Sequence, residues 1–194
     1  MEHTAPVAHL SDAQPPIFLL SGVPGAGKTS VTTALMRRFT RGLHIPIDDL
    51  REWVVSGIAH PLPTWTDETG RQFRLARQAA AHMACLYVDA GFAVAIDDVL
   101  YPDAARDLIA SHLVGHAVGK VLLQPTVDSV LARNSRRTNK AFDTSTLAEF
   151  LPGIHQSLAA ADFVEAGWLV VDSTHLSLDQ TVDEILQRVT FSTS

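Results

Sequence analysis

The amino-acid sequence predicts an α/β fold built on a doubly wound parallel sheet. Short apolar runs alternate with stretches of helical periodicity along its whole length. The run Phe92-Ala93-Val94-Ala95-Ile96 is apolar without a break, the pattern of a strand covered on both faces. The first strand, Ile17 to Leu20, leads through a glycine-rich turn straight into a helix.

That turn is the most specific feature of the chain. Gly22-x-x-x-x-Gly27-Lys28-Thr29 has the spacing of a phosphate-binding P-loop. Gly22, Gly25 and Gly27 let the backbone bend closely around an anion, and its N–H groups join the helix dipole in attracting negative charge. Lys28 supplies a cation for the β- and γ-phosphates of a nucleotide, and Thr29 a hydroxyl for Mg²⁺. Ala26 and Ser30 complete the stretch expected to touch the nucleotide. Val31, Leu35 and Phe39 then recur at i, i+4 and i+8, so a helix is expected over 29–39.

Arg41-Gly42 reads as a stop, and Leu43 to Ile47 as a strand whose Pro46 suits a sheet edge. Asp48-Asp49 closes it and opens a helix from Leu50 to about Ser56, with Asp48 also a good cap. Residues 58–66, with Pro61, Pro63 and Trp65, read as an irregular loop. A long helix follows over 67–90, ended by Gly91, and then the strand that runs into Asp97-Asp98. Pro102 starts a helix to Leu113, and Ala117 to Leu123 is the fourth strand. Helices are expected over 126–137, 147–160 and 178–189, with a polar loop over 138–145 and a last strand over 167–171.

In such sheets ligands sit at the carboxyl ends of the strands. That rule gathers the P-loop, both aspartate doublets and the region after Leu123 on one rim. Asp97, the first residue off its strand, holds the position where a carboxylate supports Mg²⁺; Asp98 beside it is a candidate for the substrate side. Asp48 is positioned to accept the proton of an acceptor hydroxyl, with Asp49 the neighbouring candidate. Arg133 and Arg137 share a helix face and are expected to close as a lid, around 133–146, over the phosphates. For the acceptor, Trp53, Trp65 and the arginines Arg71, Arg74 and Arg77 are expected to face the P-loop, with Trp53 and Arg74 the foremost candidates.

The chain has 194 residues, 46% hydrophobic and 19% charged, with a net charge of −6. This fits one globular domain, expected over 17–190 after an unstructured lead-in over 1–16. The acidic balance argues against nucleic acid as the main partner. One cysteine, Cys85, excludes an intrachain disulfide and suits a reducing cytoplasm. No apolar run has the length of a membrane span, and the leading residues do not form a secretory signal. The i, i+4 histidines His112 and His116 are interrupted by Gly115 and do not read as a zinc site. A small-molecule acceptor is expected, with the protein a monomer or homodimer.

The P-loop, the aspartate doublet after the second strand, Ile96-Asp97-Asp98 after the third and Leu131-x-Arg133-x-x-x-Arg137 after the fourth resemble a small P-loop kinase of the adenylate-kinase type. The set most resembled is that of chloramphenicol phosphotransferases, zeta toxins and polynucleotide-kinase-like proteins. The resemblance implies a three-layer fold with a five-stranded parallel sheet in the order 2-3-1-4-5. It also implies ATP as donor and Mg²⁺ as cofactor. By position, Asp48 matches the proton-accepting aspartate, and Arg133 and Arg137 the lid arginines. The implied activity is transfer of the γ-phosphate to a hydroxyl of a small molecule; a nucleotide switch or a nucleic-acid end kinase are the alternatives. Asp97-Asp98-Val99-Leu100-Tyr101 stands where shikimate-type kinases carry a glycine-rich acceptor segment, which argues against a shikimate-like acceptor.

Overall fold

A computed structural model describes residues 15–134 and 144–193. Residues 1–14 of the expected lead-in over 1–16, Arg137 and most of the expected lid lie outside the described residues.

Five parallel strands form the sheet, β1 (Ile17–Ser21), β2 (Gly42–Pro46), β3 (Ala93–Asp97), β4 (Ala117–Leu123) and β5 (Leu169–Val171), in the order β2-β3-β1-β4-β5. The helices are α1 (Lys28–Met36), α2 (Ile47–Glu52), α3 (Asp67–Asp89), α4 (Pro102–His112), α5 (Val127–Asn134), α6 (Thr144–Ala159) and α7 (Leu178–Arg188). The central strands β1 and β3 are buried at every residue, as their unbroken apolar runs predict. Pro46 lies on the edge strand β2, where a missing N–H is tolerated.

A sixth strand, β6 (Phe191–Thr193), pairs antiparallel with Ala117–Gly119 of β4. Sequence pattern did not announce it, because it is three residues long and two of them are polar. Since β5 covers only Val121–Leu123, β6 shields the other half of the same β4 edge. Phe191 also packs edge-on against Phe18 at 5.2 Å.

Two helices differ from expectation in ways that shape the rim. Helix α1 ends at Met36 rather than Phe39. The chain tightens there into i−3 bonds, Arg38 N–H to Leu35 O and Phe39 N–H to Met36 O, and Gly42 passes so close that a Cβ on it would lie 2.3 Å from Met36 O. Helix α2 starts at Ile47, three residues early, so Asp48 is not its cap. Ile47 is fully buried, and starting the helix directly from Pro46 seats it in the core. Asp48 and Asp49 therefore occupy the first turn, exposed, where the helix dipole favours acids.

Candidate active site

Three glycines of the loop after β1 adopt positive φ: Gly22 at 151°, Gly25 at 91° and Gly27 at 98°. At Gly22 a Cβ would also lie 2.6 Å from the carbonyl of Leu123, so the loop crosses the end of β4 with no room for a side chain. Gly27 is the N-cap of α1 and offers no side-chain cap, and no acid stands in the first turn. The opening amides of the helix are thus left for an outside anion. Lys28 Nζ donates to Gly22 O at 2.8 Å and Val23 O at 3.2 Å, placing the ammonium across the loop. Ala26 N–H is spent inside the loop on Val23 O, while Thr29 and Ser30 are exposed.

The loop is held from two sides. Ser21 Oγ donates to Leu100 O at 2.7 Å and accepts from Leu100 N–H at 3.0 Å, locking the end of β1 to the segment after β3. On the other side Arg133 of α5 donates from Nη1 to Ala26 O at 3.1 Å and from Nη2 to Ser173 O at 2.9 Å. Arg133 therefore lies on the P-loop, 3.8 Å from where a Cβ on Gly27 would be.

The aspartates share this rim. Asp97 is in register with both Leu20 of β1 and Pro46 of β2, and Asp98 N–H donates to Leu20 O. Asp97 is the last residue of β3 rather than the first beyond it. Its Oδ2 lies 2.8 Å from His44 Nε2, and His44 Nδ1 lies 3.3 Å from Thr33 Oγ1 of α1. Asp98 is almost wholly buried and bonded at 2.5 Å by Arg77 Nε, with Val99 N–H donating to its other oxygen. Burial pushes its carboxyl above the ordinary range, against the pull of Arg77. These contacts make Asp98 an internal tie between β3 and α3.

The three α3 arginines part company. Each three-residue step turns a helix about 60° backwards, so the row spirals from solvent toward the sheet. Arg71 forms a bidentate surface pair with Glu68, holding that carboxyl down to about 2. Arg74 is exposed, and Arg77 reaches Asp98. A further cation, missed in the sequence, is Arg51 of α2. It is 5% exposed, sits 3.9 Å from the Phe73 ring centroid and donates to Ala59 O. Desolvation lowers its pKa, while Asp48 and Asp98 pull the other way, so both acids lie within its field.

Gln72 finishes what Arg51 starts: it donates to Gly57 O at 2.8 Å and accepts from Ala59 N–H at 2.9 Å, fixing the loop between α2 and α3. Trp65 stacks on Phe73 with centroids 5.1 Å apart, and Trp53 at the end of α2 is 69% exposed. Gly70 accounts for how Trp65 and Arg74 lie on α3: a Cβ there would be 3.4 Å from both Trp65 Nε1 and Arg74 Nη1. The histidines His112 and His116 face different ways, His112 edge-on to His82 and His116 toward Cys85 and Asp89. Among the described residues no group of three or more His, Cys, Asp and Glu could hold a metal ion. A separate cavity of about 450 Å³, lined by Arg106, Lys120, Asp162 and Ser192, contains none of the rim residues.

The residues fit a nucleotide with its metal. The uncapped α1 amides and the side-chain-free crossing at Gly22 form a cradle for phosphates. The donor set of one threonine hydroxyl and one carboxylate suits Mg²⁺, which takes few protein ligands and completes its shell with phosphate oxygens and water.

Parallel sheet, strand order and phosphate cradle define the class: a P-loop kinase. The chain belongs to the chloramphenicol phosphotransferase-like family, whose profile matches residues 16–190. No curated protein sequence matches it. Among solved structures it is similar to a sugar kinase from Janibacter sp. HTCC2649, with a TM-score of 0.64 and 17% identity over 89% of this chain and 93% of that one. A gluconokinase from Sinorhizobium meliloti 1021 gives a TM-score of 0.60 and 20% identity over 89% and 90%. The tunicamycin resistance protein of Deinococcus radiodurans gives 0.60 and 18% over 89% and 94%. At these identities the likeness is one of fold. Among the described residues no helix is long and apolar enough to cross a membrane.

Proposed function

We propose that the protein is an ATP-dependent phosphotransferase that moves the γ-phosphate to a hydroxyl of a small-molecule acceptor. What supports this reading is that Arg133 is bonded to Ala26 O of the P-loop, Asp97 lies level with Leu20 just before it, and Asp48 opens the helix that follows Pro46, itself level with Asp97. When bound, ATP supplies the transferable phosphoryl group and Mg²⁺ offsets charge on its oxygens. The amides opening α1 and the Lys28 ammonium hold the phosphates. Thr29 and Asp97 are the protein groups toward the metal. Arg133 holds charge on the nucleotide from the α5 side. Asp48, exposed in the first turn of α2, accepts the acceptor's hydroxyl proton at a carboxylate oxygen.

The acceptor side is the wall of α2 and α3. Its exposed members, Asp49, Trp53, Trp65 and Arg74, offer flat apolar surface and a cation, whereas Arg51, Gln72, Arg77 and Asp98 are committed to holding that wall together. The net charge of −6 disfavours a nucleic-acid end as acceptor.

The test is ADP release measured across a panel of hydroxylated compounds, with Lys28→Ala as control. Acceptor-dependent ADP release, abolished in the variant, supports the reading. ATP turnover indifferent to every acceptor, or retained by Lys28→Ala, overturns it in favour of a nucleotide switch.

A further inference from the structure

His44 stands in the middle of the edge strand β2, well away from the P-loop in sequence. Its imidazole nevertheless joins two other elements. Nε2 lies 2.8 Å from Asp97 Oδ2 at the end of β3, and Nδ1 lies 3.3 Å from Thr33 Oγ1 on α1. A carboxylate can only accept, so the imidazole presents its hydrogen on Nε2 to Asp97. Nδ1 is then an acceptor, and the single hydroxyl hydrogen of Thr33 links the ring to α1; that hydroxyl also lies 2.8 Å from Thr29 O and can serve only one of the two at a time. The His44 and Asp97 side chains are 16% and 6% exposed, so the bond is sheltered from competing water.

The consequence is geometric. Asp97 and Thr29 are carried by different elements, a strand and a helix. The chain Asp97, His44, Thr33 ties β3 to α1, the helix that carries Thr29, through a third element. It also occupies one oxygen of Asp97 and leaves the other without a protein hydrogen bond among the described residues. A carboxylate fixed by one oxygen keeps the second in a constant place relative to the threonine hydroxyl. Ligand-orienting partners of this kind tune metal affinity without touching the metal.

We propose that His44 is a positioning residue for the metal-bound nucleotide: it sets the Asp97 carboxylate and couples it to α1. This rests on the nucleotide reading given above. His44 touches neither phosphate nor acceptor in this role, so its loss affects the metal-dependent part of nucleotide affinity and spares the metal-free part.

The experiment uses the full chain and a fluorescent N-methylanthraniloyl-ATP, titrated with Mg²⁺ and again with excess EDTA. The wild-type protein binds more tightly with Mg²⁺ than without. His44→Phe keeps its EDTA affinity within about twofold and its thermal midpoint close to wild type, and loses about tenfold of the Mg²⁺ enhancement. His44→Gln, which restores an N–H toward Asp97, recovers most of that loss. Thr33→Val, which severs the link to α1 while leaving the Asp97 bond, loses about threefold. If His44→Phe fails to fold, Thr33→Val and His44→Gln carry the comparison. An unchanged Mg²⁺ enhancement in His44→Phe, or in Thr33→Val where that stands alone, overturns the proposal. Absence of any nucleotide binding by the wild-type chain is a different result; it overturns the nucleotide reading itself, and this inference with it.

Discussion

Arg133 Nη1 lies 3.1 Å from Ala26 O, so a helix 107 residues further along the chain puts its guanidinium on the phosphate loop. The same side chain reaches Ser173 O, and two anchors fix its plane. Arg133→Ala removes a brace from the loop and, under the proposed mechanism, a cation from the transferring group. We expect kcat to fall about 10²- to 10³-fold, the scale of losing one preorganised charge donor. Arg133→Lys, a point charge without the fork, recovers only part of it. Steady-state kinetics at saturating acceptor measure both.

Asp48 lies in the first turn of α2, exposed, with Arg51 one turn behind it. Asp48→Asn keeps the shape and, under the proposed mechanism, removes the proton acceptor. Transfer to acceptor is expected to fall about 10²- to 10⁴-fold while nucleotide affinity stays within twofold. Asp49→Asn, in parallel, separates the two members of the doublet. A variant Asp48→Asn that transfers phosphate at the normal rate rules Asp48 out as the base.

Ser21 Oγ both donates to and accepts from Leu100, and the pair is buried. Ser21→Ala leaves the Leu100 N–H and carbonyl without that partner, which costs about 1–3 kcal/mol. Gly22→Ala meets a backbone carbonyl at 2.6 Å and a φ of 151°, and should cost more than about 1 kcal/mol. The two variants differ in one respect. Ser21→Ala is read in chemical denaturation, whereas Gly22→Ala also distorts the loop and shows in nucleotide affinity.

Cys85 Sγ donates to His112 O, and burial raises its thiol pKa above the ordinary value of 9.0. It therefore stays protonated at neutral pH, and its alkylation by iodoacetamide at pH 7.5 should be at least about tenfold slower than that of free cysteine. The linkage has a definite sign. A folded pKa raised above the unfolded one gives stability that is full below the unfolded value and is lost as pH rises through the folded one. Cys85→Ser flattens that alkaline arm of the stability profile.

What could be read from the sequence follows from distance along the chain. The P-loop was legible because a strand, three glycines, a lysine and a threonine lie within a few consecutive residues, where local geometry decides. The β2 edge position was legible from Pro46, and the burial of β3 from its unbroken apolar run. The pairings that build the rim were not. Arg77 meets Asp98 across 21 residues, His44 meets Asp97 across 53, and Ser21 meets Leu100 across 79. Those meetings are set by the parallel register of β1, β2 and β3, which no short window contains. The even spacing of Arg71, Arg74 and Arg77 suggested one shared face, and helical rotation divided them among three environments. Arg51 was overlooked because a single arginine in a six-residue helix carries no periodic signal.

The short strand Phe191–Thr193 lies just beyond the residues that match the family profile. It covers the main chain of Ala117–Gly119, which β5 is too short to reach. A chain cut after Arg188 would keep every group of the rim yet bare the outward-pointing amides and carbonyls of Ala117–Gly119 along a sheet border, an invitation to stick edge to edge with its own kind. The terminal segment thus guards solubility, and its removal should be felt as aggregation on concentration well before it is felt in turnover.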